Sequence, residues 1–484
     1  MNKVLLIAVP APEVEQNEIE IDYWKWHYSL KTNLTYTNLN KDQLLKFGNT
    51  ENQNIGLLSI ASALQEKEIP VKYLAPSIKY SGPCREDDFW DDMKRLIEEF
   101  QPEFIAFSSP TCSVELAMVY AERAKAINPR VMTLIGGAHA NGVDGEELRE
   151  IAQKFDFVIR GKGEIPMVNL VTGSGDMSGI SYMKGNEFIE NPLNLVGLPG
   201  YPKADNKLLN ISELPAARIF TSLGCGGECI FCVDINTKKY VEIPDQNIID
   251  EILYMYNNLG TRYFYLGDEN FFMNKKRAFI LLEKISRLNL DVIFGFQARI
   301  ESTDEDVIRA VASLGSCTEI QYGVESANQR VLDISKKRLD VRKVKQICQL
   351  TKKYGIHTQC YFLVGLPGET RETAKETQDM MTSYLREGII DMVEYRCVIP
   401  FPGSEMWNNR QLYGIHLKHT NWKYFRGENK PPYDLATMKS SEIYDFYLTG
   451  LQDITKVYTE RYRRDFGHKN IDINVQSAVT EGGF

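Results

Sequence analysis

Thr221-Ser-Leu-Gly-Cys225-Gly-Gly-Glu-Cys229-Ile-Phe-Cys232 places three cysteines at C-x3-C-x2-C spacing, directly after the apolar run Ala217-Arg-Ile-Phe-Thr-Ser-Leu223. A loop leaving a strand can fold three thiolates around one face of a small inorganic core. Thiolate is the ligand that iron–sulfur clusters use, and a cubane normally takes four. Three close cysteines therefore predict a cluster with one iron left open. Gly224, Gly226 and Gly227 allow the positive-φ turns that a wrapped loop needs. A structural zinc site is the competing reading. It wants four nitrogen or sulfur ligands, and Cys317 and His357 lie far along the chain. Three inert buried cysteines are the other alternative, since free Cys packs well; clustering within eight residues argues against it.

Downstream of Cys232, strand and helix patterns alternate. Helices are expected at 246–258, 274–287, 304–313, 341–354 and 371–387, and strands at 263–267, 292–296, 320–323, 358–364 and 392–399. With 218–223 this makes six strands, which fits a parallel β/α barrel whose site lies at the strand C-termini. The residues there are the candidates. They are Asp268 and Glu269 after the second strand, Arg299 after the third, Gln321, Glu325 and Ser326 at the end of the fourth, and Gly365 after the fifth. Each has a bland alternative. Gly365-Leu-Pro-Gly368 can be a plain strand-to-helix turn with Thr370 as N-cap, Glu325 a helix cap, and Arg299 the partner of a surface acid. At consecutive strand ends behind a cysteine triplet, together they favour one pocket.

Upstream, residues 3–9 read as a buried strand rather than a short signal peptide. Residues 11–50 are polar and aromatic without a firm period, a long insertion of the kind that is functional or disordered. Helices at 55–67, 87–99, 114–127 and 144–153 then alternate with strands at 71–74, 104–108, 131–135 and 157–159. This predicts a parallel, doubly wound sheet with a ligand site beyond its strand carboxyl ends. The loops at Ser108-Ser-Pro-Thr111 and Gly136-Gly-Ala-His139 lie there, with small residues that admit a bulky ligand and hydroxyls that bind its polar tail. Ordinary turn chemistry explains them as well. Residues 172–215 read as a connector containing a hairpin, 180–192, with a Gly-Asn turn. Residues 406–484 show no assignable pattern beyond an amphipathic helix at 439–464, a possible substrate lid.

The cysteine motif, with Phe231 before its last Cys, resembles the signature of the radical S-adenosylmethionine (SAM) superfamily. The resemblance implies a [4Fe–4S] cluster on Cys225, Cys229 and Cys232 whose open iron chelates the amino and carboxylate groups of SAM. Asp268-Glu269 takes the place of the family's Gly-Gly-Glu-like segment at the SAM amino group, and Arg299 is placed to grip the methionine carboxylate bidentately. Gln321-Tyr-Gly-Val-Glu325-Ser326 resembles the segment beside SAM, and Gly365-Leu-Pro-Gly-Glu-Thr370 the one near the adenine. The first third resembles the cobalamin-binding domain that precedes many such barrels. Ile55-Gly-Leu-Leu58, Gly136-Gly-Ala-His139 and Arg160-Gly-Lys-Gly-Glu164 carry that likeness. It implies that Ser109, Thr111, Gly136 and Gly137 hold the corrin's nucleotide tail. One departure stands out: Pro10-Ala-Pro-Glu-Val-Glu15 lacks the Asp-x-His-x-x-Gly motif, which excludes a cobalt-ligating His from that loop. His139 is a candidate cobalt ligand or a hydrogen-bonding loop residue.

The expected architecture is therefore α/β: a Rossmann-like cobalamin-binding-type domain (1–171), a connector (172–215), a partial (β/α)6 radical SAM barrel (216–404) and a small mixed or α C-terminal segment (405–484). The resemblance implies a cobalamin-dependent radical SAM methyltransferase. Reductive cleavage of SAM gives a 5′-deoxyadenosyl radical, which takes hydrogen from an unactivated carbon that then receives methyl from cobalamin. The alternatives are cyclisation, rearrangement or oxidation on the same architecture, or a non-catalytic corrinoid-binding protein. A small-molecule, peptide or lipid substrate and an electron donor such as flavodoxin or ferredoxin are implied.

Composition agrees. The chain has 484 residues, long enough for two or three cores, and its net charge of -9 argues against a broad nucleic-acid footprint. Nine cysteines do not make a disulfide framework, and a reducing cytoplasm suits an oxygen-sensitive cluster. No apolar run reaches the 18 or so residues of a transmembrane helix.

Overall fold

The computed structural model describes residues 2–12, 17–34, 53–76, 85–200, 203–204, 206–209, 213–233 and 240–466. Parts of the insertion at 11–50 (13–16 and 35–50) and of the 172–215 connector (201–202, 205 and 210–212) lie outside the described residues.

The first sheet contains β1 (Val4–Ala8), β2 (Val71–Leu74), β3 (Phe104–Ser108), β4 (Met132–Gly136), β5 (Phe157–Ile159), β6 (Ile180–Lys184) and β7 (Glu187–Ile189), in the order β2-β1-β3-β4-β5-β6-β7. Its first five strands are parallel. Strand β1 shows why the sheet is doubly wound. Its side chains alternate, so Leu5 and Ile7 join one core with Phe89, Met93 and Tyr120, while Val4 and Leu6 join another with Leu57, Ala61 and Met167. The expected hairpin forms about Gly185-Asn186, but it is more than a connector. Its strands extend this sheet antiparallel, β6 pairing with β5.

The second sheet runs from β8 (Ala216–Ile219) through β11 (Tyr263–Leu266), β12 (Ile293–Ala298), β13 (Cys317–Glu325) and β14 (His357–Val364) to β15 (Met392–Cys397). All neighbours are parallel and sequential. Between β8 and β11, the two-residue strands β9 (Ser222–Leu223) and β10 (Val241–Glu242) pair antiparallel. Strands β8 and β15 do not pair with each other, so the barrel is open.

An open barrel leaves unpaired backbone groups at both edges, and these need partners. Helices Glu18–Leu34 and Ser440–Phe466 supply them at β15: Tyr23 OH donates to Val393 O (2.7 Å), and Tyr458 OH accepts from Val393 N (2.7 Å). At β8, Arg218 N donates to Gln53 Oε1 (3.3 Å). The helix Glu18–Leu34 lies within the stretch expected to lack a regular pattern. It is wedged between β15 and Ser440–Phe466, burying Tyr23, Trp24 and Leu30 in the barrel core, so no single apolar stripe marks it. A short hairpin, β16 (Ile415–Leu417) and β17 (Tyr433–Leu435), completes the C-terminal segment. Among the described residues no helix is long and apolar enough to cross a membrane.

Candidate active site

The cysteine loop leaves the C-terminal end of β8, with Gly224 at φ 77° and Gly226 at φ 62°, conformations that favour glycine. Cys225, Cys229 and Cys232 are free thiols, each partly exposed. Three supports hold the loop. Beneath it, Asp268 is fully buried and accepts from Thr221 N (2.5 Å), Thr221 Oγ1 (2.5 Å) and Ser222 Oγ (2.9 Å). Burial pushes its carboxyl up from the usual range, and these donors offset only part of that. Beside it, Arg277 donates to Thr221 Oγ1 (2.8 Å), Thr221 O (3.0 Å) and Ile243 O (3.0 Å). Across it runs Ser335–Arg338: Ile230 N donates to Ser335 O (3.1 Å), and Arg338 pairs with Glu228.

Arg299 is where sequence and structure diverge in detail. Its Nη1 lies 3.5 Å from Cys229 Sγ and its Nη2 2.7 Å from Glu301, with a further bond to Lys337 O. Burial opposes its charge, but Glu301 and Cys229 outweigh that and hold the guanidinium firmly protonated. The guanidinium thus lies fixed against the cysteine loop at Cys229. Gly227 N also donates to Cys225 Sγ (3.3 Å). Among the described residues no three His, Cys, Asp or Glu side chains converge as a single-ion site. Three thiols on one glycine-turned loop, backed by a cation and an amide, fit a cluster whose ligands sit on separate irons.

The remaining strand-end candidates separate into groups. Glu269 Oε2 accepts from Gly224 N (3.1 Å) and faces the cavity described below. Glu325 takes an unusual φ of 71° and pairs with the buried Lys337 (2.8 Å). Ser326 is buried and accepts from Asn328 N (3.1 Å), a local role at a helix start. Gly365 N donates to Glu369 (2.6 Å), and its carbonyl accepts from Tyr433 OH (2.8 Å). Gln321 lies deeper, inside the barrel. Its Oε1 accepts from Tyr265 OH (2.8 Å) and Tyr361 OH (2.5 Å), and Tyr265 also reaches Gln297 (3.1 Å). On the far side, Gln359 bonds Glu394 (3.2 Å), which pairs with Arg396 (3.0 Å). Apart from Gln321, this interior belt was not among the strand-end candidates. Its signal was present: strands buried on both faces normally read as continuous apolar runs, yet Arg218, Gln321, Gln359 and Glu394 interrupt them. Lys337 and Arg277 carried no such signal, because their positions depend on packing between elements.

A cavity of about 310 Å³ lies between the carboxyl ends of the first sheet and the cysteine loop. Gly56, Ser108, Gly136, Gly137, Asn141 and Gly161–Glu164 line one side, and Phe220, Leu223 and Glu269 the other. Gly136 and Gly137 lie on this lining, and a Cβ on Gly137 would meet Ser109 N and O at 2.8 Å. Ser109 and Thr111 are buried off this lining; Ser109 Oγ donates to Pro110 O (2.9 Å). His139 is also off it. Its ring packs 4.7 Å from that of Trp422, and burial lowers its pKa to about 4, so it is neutral at neutral pH.

Two family models match the chain: one described as the radical SAM superfamily over residues 219–381, and one described as the B12 binding domain over residues 48–171. The chain carries a radical SAM domain and a B12 binding domain. This radical SAM enzyme is 25% identical over 386 residues to an uncharacterised methyltransferase of Pyrococcus horikoshii, covering 77% of this chain and 81% of the relative. It is 26% identical over 366 residues to the anaerobic magnesium-protoporphyrin IX monomethyl ester cyclase of Rubrivivax gelatinosus, covering 70% and 65%. Its fold is similar to that of the radical SAM methyltransferase TsrM from Kitasatospora setae, solved with cobalamin and a [4Fe–4S] cluster (TM-score 0.63, 16% identity, 86% of this chain and 79% of that one). A radical SAM domain takes a [4Fe–4S] cluster and SAM, and a B12 binding domain takes cobalamin; these are the enzyme's cofactors.

Proposed function

We propose that this enzyme is a cobalamin-dependent methyltransferase that methylates an unactivated carbon. The observation that carries the reading is the placement of Leu223 and Glu269 on both the cysteine loop's flank and the wall of the cavity that opens at the first sheet. A methyl donor seated there lies next to the cluster loop. When bound, the cluster and SAM supply a carbon radical and cobalamin supplies the methyl group.

In this reading Cys225, Cys229 and Cys232 hold the cluster, and Arg299 braces the loop at Cys229. Asp268 and Arg277 fix the base of the loop. Gly136 and Gly137 admit the corrinoid tail, while Phe220 and Leu223 keep water from the reacting face. Glu269, Glu325 and Gly365 surround the SAM position at the ends of β11, β13 and β14, and the interior belt from Tyr265 to Arg396 receives the substrate. The similarity to an uncharacterised methyltransferase supports methyl transfer. Similarity to a cyclase keeps the competing outcome in view.

The test is anaerobic turnover by cluster- and cobalamin-loaded enzyme with candidate substrates. Methylation forms S-adenosylhomocysteine and 5′-deoxyadenosine together. Formation of 5′-deoxyadenosine alone, with substrate consumed, rejects methyl transfer in favour of the cyclase-like reading.

A further inference from the structure

Arg218 sits on the interior face of β8. It is in register with Tyr265, and its guanidinium lies 4.9 Å from the Phe220 ring centroid and 5.6 Å from that of Tyr265. It is half-buried, and its Nε is fully enclosed without a hydrogen-bond partner among the described residues. Among the described residues its Nη2 donates to a carbonyl, Gly267 O, at 3.3 Å.

The other cations around the barrel interior each have a carboxylate. Lys31 has Glu319 (3.8 Å), Arg299 has Glu301 (2.7 Å), Lys337 has Glu325 (2.8 Å) and Arg396 has Glu394 (3.0 Å). Among the described residues Arg218 has none within ion-pair distance. The nearby strand-end carboxylate, Glu269, instead accepts from Gly224 N (3.1 Å). A charge withdrawn from water without a counter-ion is costly, and the usual resolution is pairing. Space is reserved for this side chain: a Cβ on Gly267 would collide with Arg218 Nε. Aromatic rings beside a guanidinium leave its N–H edge free for a planar, bidentate anion.

We propose that Arg218 is the anchor for an anionic group, a carboxylate or phosphate, on the substrate. The substrate would be held by that anion against β8, two residues before Phe220 on the cavity wall and seven before Cys225. Its carbon skeleton then extends along the Tyr265–Gln321–Tyr361 belt. This assignment rests on the proposed function, because it takes the barrel interior as the substrate site.

Inorganic phosphate, titrated calorimetrically into the cluster- and cobalamin-loaded enzyme, is the test. Expected are saturable binding to the native enzyme, at least tenfold weaker binding to Arg218→Gln, and partial retention by Arg218→Lys. Iron content, corrin absorbance and melting temperature should be unchanged in both variants. Equal phosphate binding by native enzyme and Arg218→Gln, or none by either, overturns the proposal. So does loss of corrin from Arg218→Gln, which would assign the guanidinium to the phosphodiester of cobalamin. Failure of the native protein to retain cluster or corrin would instead strike the functional reading beneath it.

Discussion

Replacing Asp268 by Ala tests whether this carboxylate is a strut or a cofactor contact. The substitution removes the acceptor of three buried hydrogen bonds, from Thr221 N, Thr221 Oγ1 and Ser222 Oγ. Hydrogen bonds to charged groups contribute about 1.5–3 kcal/mol each, and the orphaned donors then bear their own desolvation cost. Against this, the variant no longer buries a carboxylate whose pKa is raised chiefly by desolvation. Thr221 Oγ1 also keeps its contact with Arg277 at 2.8 Å. A net loss of about 2–4 kcal/mol follows, because the three bonds share one acceptor and are not additive. For a folding unit of 150–250 residues this lowers the melting temperature by roughly 5–15 °C. The assay is thermal melting of cluster-free protein by circular dichroism, alongside iron content after anaerobic reconstitution. Asp268→Asn retains a carbonyl acceptor and should lose about half as much. The strut reading fails if Asp268→Ala melts like native protein while the cluster-loaded form loses tenfold or more in SAM affinity.

Two further outcomes come from elsewhere in the fold. Asp391 bears on pH dependence. Burial raises its pKa, but His357, Lys352 and Thr358 N outweigh that and bring it from 3.8 to about 2. With the folded pKa below the unfolded one, its contribution is fully present above pH 4 and is lost as the pH falls towards 2. The shift corresponds to about 2 kcal/mol, so Asp391→Asn should cost about that much at pH 7 and flatten the acid limb of a urea-midpoint profile; an unchanged limb refutes it. Gly142→Ala would drive a Cβ into the carbonyl of Pro402, where the loop after β15 rests on the first sheet's helix Ala138–Gly142. Overpacking of this kind costs about 1–3 kcal/mol. Faster hydrogen exchange in residues 398–427 is expected, and native protection there would show that the contact yields without consequence.

The elements that came directly from the chain are those whose causes are local. The β/α alternation follows from hydrophobic period and turn residues. The turns of the cysteine loop follow from its glycines. What required the folded chain are relations between distant segments. The aromatic helix Glu18–Leu34 shows no amphipathic stripe because its partners, β15 and Ser440–Phe466, surround it on several sides. Asp268 and Glu269 are adjacent in sequence and look equivalent there. Just past the end of β11, the chain turns one into the core beneath Thr221 and the other towards the cavity. Arg299 shows in sequence as a cation at a strand end; only the approach of Lys337, Glu301 and Cys229 turns it onto the cluster loop. Side-chain identity is a property of the chain, but direction and packing belong to the neighbours that folding brings together, and for Arg299 two of these, Cys229 and Lys337, are dozens of residues away.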